Sequence, residues 1–127
     1  MFTNLLLPTD GSDVAARAVD AGLGLAKQLG ASVTFVTVVR PPQIDRAEAE
    51  AALAAATARA EAEGVPAAGL IRTGSEPAAE IVAAAAESGA DMIVMASHGR
   101  SGIAAVLLGS QTEQVTKLAK VPVLVHR

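Results

Sequence analysis

The chain contains no cysteine, tryptophan or tyrosine, and its only two aromatics are Phe2 and Phe35. Without cysteine there is no disulfide framework and no thiolate metal site, and the redox compartment is left open. With so few aromatics among 127 residues, the core has to be aliphatic, built from Val, Leu and Ile with helices drawn close through alanine. A charge excess is also missing: 10 Lys and Arg stand against 13 Asp and Glu, a net charge of −3. No basic cluster interleaves with aromatics, so nucleic acid is not an expected partner. No apolar run approaches the ~20 residues needed to span a bilayer. Leu5-Leu6-Leu7 stops at once on Pro8 and has no positive residue before it, unlike a secretion signal. These lacks leave a cytoplasmic protein of one domain, residues 1–127, long enough to bury a core unaided.

What is present is an alternation of short apolar runs with longer helical patterns, the mark of βαβ units. Strands are expected at 4–7, 33–39, 68–72, 91–95 and 121–125. The second, rich in β-branched residues, is the clearest. Helices are expected between them. The first runs from a cap at Ser12 or Asp13 to about Leu29, with Val14, Ala18, Ala21, Leu25 and Leu29 on one face. The second, at 45–63, has Leu53 as its only large apolar residue and belongs on an outer layer. The third is capped by Ser75, has Pro77 in its first turn and ends before Gly89. The fourth covers 111–120. Together they predict an open five-stranded, mostly parallel α/β sheet with helices on both faces and right-handed crossovers. Ligands of such sheets bind at the carboxyl ends of strands, near the point where strand order reverses. Pro8-Thr9-Asp10 and the segment 96–102 both fall at such ends.

The segment Met95-Ala96-Ser97-His98-Gly99-Arg100-Ser101-Gly102, followed by Leu108-Gly109-Ser110-Gln111-Thr112-Glu113, carries the most chemistry. It leaves a buried strand and ends where a helix begins, so backbone N–H groups and the positive end of a helix dipole can meet an anion. Ser110 and Glu113 also match a capping box, and Gly109 also suits a turn. Two glycine-bearing, N–H-rich stretches in one strand-to-helix connection tip the balance towards a phosphate site.

Residues 95–113, together with Pro8-Thr9-Asp10 and the Val-Pro-Val-Leu-Val ending, resemble the universal stress protein family over the whole chain. Its nucleotide-binding members carry Gly, two residues, Gly, nine residues, then Gly-Ser or Gly-Thr. Gly99, Gly109 and Ser110 fit the later elements, and Ala96 stands at the first glycine. Alanine there adds a methyl and restricts positive φ. The resemblance implies ATP or AMP as ligand, bound in a regulatory, stress-response role without robust turnover. Asp10 would meet the adenine or ribose end, with Pro8 and the Val38 backbone lining the base pocket. A carboxylate suits adenine N–H or ribose hydroxyl donors and would repel phosphate; the alternative for Asp10 is a helix cap. Met95, Ala96, His98 and Gly99 would follow the ribose and α-phosphate. Gly109, Ser110, Gln111 and Thr112 would hold the outer phosphates through N–H groups and hydroxyls, with Arg100 reaching phosphate oxygens or simply solvated. Mg²⁺ or Mn²⁺ could bridge the phosphates, although no protein ligand cluster is evident. The last strand, from Val121 to Val125, would pair across a homodimer, as an unprotected apolar edge favours. The segment 40–45 is short, so any lid over the ligand is small.

Other motifs fail. Gly22-Leu23-Gly24 lies inside a helix and lacks the third glycine of a dinucleotide fingerprint. No glycine is followed by Lys-Ser or Lys-Thr, so the P-loop lysine of efficient phosphoryl transfer is missing. Ser97, His98 and Asp10 establish no triad from spacing alone. Thr9-Asp10-Gly11-Ser12 lacks the glycine and serine run of an adenylating enzyme's pyrophosphate loop. His126, after the last strand, reads as an exposed or interface residue. Two alternatives stay open beside nucleotide binding: a slow ATPase whose loops position water, and a nucleotide-free dimeric interaction protein.

Overall fold

The structure, a computed structural model, describes residues 2–97 and 110–127. The elements alternate along the chain: β1 (Asn4–Pro8), α1 (Asp13–Leu29), β2 (Ser32–Val39), α2 (Arg46–Ala62), β3 (Ala67–Thr73), α3 (Pro77–Ser88), β4 (Met92–Ala96), α4 (Ser110–Leu118) and β5 (Val123–His126). The strands form one sheet in the order β3-β2-β1-β4-β5, and every neighbouring pair is parallel. Leu6 of β1 lies opposite Thr34 on one side and Ile93 on the other, so β1 is paired along both edges. Chain order turns back between β1 and β4, which places a crevice at the carboxyl ends of those strands.

A doubly covered parallel sheet needs apolar side chains on both faces, and β1 supplies them in alternation. Leu5 and Leu7 join Val33, Phe35 and Val94 beneath α1 and α2, while Leu6 joins Val36, Ile93 and Met95 beneath α3 and α4. All three leucines are fully buried.

The helical faces differ in detail from the sequence pattern. In α1 the buried stripe is Ala15, Ala18, Val19, Gly22, Leu23 and Ala26; Leu29 is exposed and Val14 is only half-buried. Close approach decides this phase. A Cβ on Gly22 would lie 2.6 Å from Leu7 Cδ2, so the glycine is what lets α1 sit on the central strand. The thin apolar face of α2 is likewise a close-packing surface. Ala49, Ala52, Ala56 and Ala60 are buried, and the helix lies directly on β2 and β3.

The ends also move. Ser12, not Asp13, caps α1, accepting from Ala15 N–H at 3.2 Å. Ser75 does not cap α3: Glu76 occupies the cap position and makes no side-chain cap bond. The fifth strand starts two residues late because Pro122 has no N–H to give the ladder; its carbonyl accepts from Ile93 N–H at 2.9 Å. Asp91 lies just before β4, and its carboxylate accepts from the N–H groups of Thr3 and Asn4 at the start of β1. Burial pushes that carboxyl up, but these hydrogen bonds outweigh it and hold it below the usual aspartate range.

The contact between α1 and β1 sets a paired test. Gly22→Ala drives a methyl into Leu7 and lowers stability by ~1–3 kcal/mol, against a helix-propensity gain of at most ~1 kcal/mol. Gly24→Ala, whose Cβ meets nothing within 4 Å, raises stability by ~0.5–1 kcal/mol. Urea denaturation midpoints of the two variants move in opposite directions.

Candidate functional site

The turn after β1 is fastened before any ligand is considered. Thr9 N–H donates to Val36 O at 2.9 Å, and Thr37 Oγ1 donates to Thr9 O at 2.7 Å, so the end of β1 is pinned to β2. Gly11 takes a φ of 82°, the left-handed conformation that glycine adopts freely, and its N–H donates to Thr9 Oγ1 at 3.2 Å. Ser12 N–H donates to Asp10 Oδ1 at 2.9 Å. Asp10 therefore braces the turn, and Ser12 caps α1.

A second connection joins β4 to α4. Thr112, 2% exposed, donates its hydroxyl to Ala96 O at 2.8 Å. Gln111 Oε1 accepts from Ala78 N–H at 3.0 Å and so supplies from α4 the cap that α3 lacks in its own sequence. These bonds differ from the sequence reading: the Thr112 hydroxyl and the Gln111 side chain are engaged in holding two helix starts beside the end of β4. The Glu113 carboxylate is turned towards Lys117, at 3.3 Å, rather than back to Ser110 as a capping box requires.

Between these connections lies a cavity of about 370 Å³, within the size range of small-molecule sites. Pro8, Thr9 and Asp10 form one part of its wall, Val36 and Val38 another, Met95 and Ala96 a third. Pro77 and Ile81 of α3 close one side, and Gln111 and Thr112 the α4 end. Ala96 is the last residue of β4, and no described non-glycine residue has a positive φ. The alanine in the place of the family's first glycine thus adds a methyl to the wall without forcing the backbone.

The mouth is bordered by residues 40–44. Arg40 and Ile44 exchange backbone hydrogen bonds of 2.9 and 3.1 Å, closing the short segment on itself. Arg40, Gln43 and Ile44 line the cavity. Asp45 then caps α2, accepting from Glu48 N–H at 2.8 Å.

Of the residues expected from sequence, Pro8, Asp10, Val38, Met95, Ala96, Gln111 and Thr112 line this one cavity. Ser110 opens α4 and is exposed. His98, Gly99, Arg100 and Gly109 lie outside the described residues. Sequence reasoning missed Thr9, Ala15, Val36, Pro77 and Ile81, and Arg40, Gln43 and Ile44 of the 40–44 segment. Shortness was the only signal at 40–44, and it gave no hint of which side chains face the cavity. Among the described residues no group of three His, Asp or Glu could hold a metal ion. No helix among them is long and apolar enough to cross a membrane.

An all-parallel sheet with a largely apolar cavity at its strand-order reversal defines a doubly wound α/β protein with a cavity of small-molecule size. The chain belongs to the universal stress protein family, whose pattern matches residues 1–127. It is 32% identical to universal stress protein YxiE of Bacillus subtilis, with all of both chains covered. The solved structure of protein MJ0577 superposes with a TM-score of 0.85 at 30% identity, over 98% of this chain and 95% of that one. A universal stress protein solved in complex with cAMP superposes with a TM-score of 0.82 at 32% identity, over 99% of this chain and 97% of the other.

Thr112 gives the test of how this site is built. Thr112→Val keeps the shape but removes the bond to Ala96 O, and lowers stability by ~1–2 kcal/mol. Thr112→Ser, which keeps the hydroxyl, recovers at least half of the loss, measured by thermal unfolding.

Proposed function

We propose that this cavity binds an adenine nucleotide, AMP or ATP, and that the protein acts as a regulatory stress-response binder, one domain over residues 1–127, with little or no turnover. The observation that carries the reading is the position of the cavity. It spans the carboxyl ends of β1, β2 and β4, with the N-terminus of α4 at one end and a wall of Pro8, Val36 and Val38 at the other. The α4 end, where first-turn backbone N–H groups meet about half a positive charge from the helix dipole, suits phosphate. The apolar end, flanked by Asp10, suits a base and ribose. The related protein in complex with cAMP supports an adenine nucleotide as the ligand class. Met95, Ala96, His98 and Gly99 follow the ribose and first phosphate in this reading, and Gly109, Ser110, Gln111 and Thr112 the outer ones, with Arg100 beside them. Since the Thr112 hydroxyl and the Gln111 amide oxygen are engaged, what these residues offer a phosphate is their backbone N–H groups and the Gln111 amide N–H. Mg²⁺ or Mn²⁺ enters with the phosphates of ATP and takes its ligands from them.

Ser110→Glu separates binding from folding. A carboxylate in the first turn of α4 favours the helix dipole, so the fold is kept, while it opposes a phosphate at the same place. Calorimetry on nucleotide-stripped protein gives micromolar binding of AMP or of ATP with Mg²⁺, weakened at least tenfold by Ser110→Glu. No heat from either nucleotide with the unaltered protein overturns the reading.

The same reading includes a homodimer through the last strand. Among the described residues β5 pairs on one side only, with β4, and Leu124 on it is 47% exposed. A free strand edge carrying an exposed leucine is a template for a second copy. Leu124→Arg shifts the protein to a monomer in light scattering while leaving its circular dichroism unchanged.

A further inference from the structure

The chain has no tryptophan or tyrosine, and Phe35 is buried in the core cluster on the α1 and α2 face of the sheet. Phe2 packs against the same cluster, so among the described residues no aromatic side chain lines the cavity, and its walls from β1, β2 and α3 are aliphatic apart from Thr9 and Asp10. A flat heterocycle bound there has one face to lay on Val36 and Val38. For the other face, the planar groups among the lining side chains are the guanidinium of Arg40 and the amides of Gln43 and Gln111. Gln111 is committed to the start of α3.

Arg40 stands out on a second count. Arg46 holds Glu50, Arg59 holds Asp20, and Arg72 holds both Glu80 and Glu87. Arg17, Arg40 and Arg127 have no carboxylate partner among the described residues; Arg17 and Arg127 are exposed, and of the three Arg40 alone is half-buried, at the cavity mouth. Its backbone is fixed by the double hydrogen bond with Ile44, so the side chain starts from a defined point rather than from a loose loop. A guanidinium is weakly hydrated, planar and suited to stacking on π-systems, which a lysine ammonium is not.

We propose that Arg40 is a specificity-determining residue at the base end of the cavity. Its guanidinium plane covers the ligand's heterocycle and clamps it against the aliphatic wall of β2. This rests on the nucleotide reading above and deepens it. It assigns discrimination for a flat, electron-rich base to a side chain of the short 40–44 segment, and leaves the phosphates to the α4 end.

Calorimetry with AMP and with ribose 5-phosphate, which keeps the sugar and phosphate but lacks the base, tests the assignment. The proteins compared are the unaltered one, Arg40→Ala and Arg40→Lys. Both variants weaken AMP about tenfold, as the loss of a partly desolvated planar stack of guanidinium on base implies, and leave ribose 5-phosphate unchanged. Restoration of AMP binding by lysine overturns the stacking role, because charge alone would then suffice. An equal loss for ribose 5-phosphate overturns it too, since Arg40 would then be acting on phosphate. AMP binding unaltered in both variants sinks this inference alone, whereas failure of the unaltered protein to bind AMP sinks the nucleotide reading and this inference together.

Discussion

The central strand β1 is the element on which the rest depends. Leu5, Leu6 and Leu7 are fully buried, and the strand is paired along both edges and covered on both faces. Because every pair in the sheet is parallel, all the carboxyl ends fall on one edge, and the connections leaving β1 and β4 are forced apart there. The cavity follows from that divergence. The bonds that pin Thr9 to Val36 and Thr37 keep the end of β1 level with β2, so the floor of the cavity is part of the sheet itself. A site built on strand ends inherits their rigidity, which loops alone would not supply.

Small residues make up for the missing aromatics. Gly22 brings α1 against Leu7, and the alanine row of α2 brings that helix onto β2 and β3. In a core of this kind the energy comes from many short contacts rather than a few large side chains, so distance between layers becomes the sensitive variable. A single added methyl can matter at Gly22 and be harmless at Gly24, two positions further along the same helix.

The architecture was legible in the sequence because it rests on periodicity. All nine elements, the parallel sheet and the helices on both faces could be read from alternating apolar runs and caps. What escaped was phase and partnership. The stripe of α1 read from Val14, Ala18, Ala21, Leu25 and Leu29 weighs large residues, whereas the burial follows the small ones that permit approach. Ser75 looks like a cap by residue type, but the cap of α3 comes from Gln111, far along the chain, and no local pattern carries such a contact. Among the candidate residues, those at strand ends were found because strand ends are visible in sequence. Arg40, Gln43 and Ile44 were not, because their place at the cavity depends on a backbone bridge that apolar patterning does not encode.

The polar groups around the cavity divide into those the fold consumes and those it leaves for a ligand. Asp10 Oδ1 and the hydroxyls of Thr9 and Ser12 close the β1–α1 turn, the Gln111 amide caps α3, and the Thr112 hydroxyl ties α4 to β4. In the proposed reading, a site that spends so many side chains on its own frame recognises its ligand largely through backbone N–H groups, the Gln111 amide N–H and shape. Backbone donors suit phosphate, whose oxygens accept from any direction, but they are poor at choosing one flat base over another. In the proposed nucleotide reading, selectivity for a base comes from the mouth of the cavity, where the walls are aliphatic and a planar side chain stands without a carboxylate partner among the described residues. Ala96 belongs to the same frame: as the last residue of an extended strand, without a positive φ, it does not need a glycine's freedom.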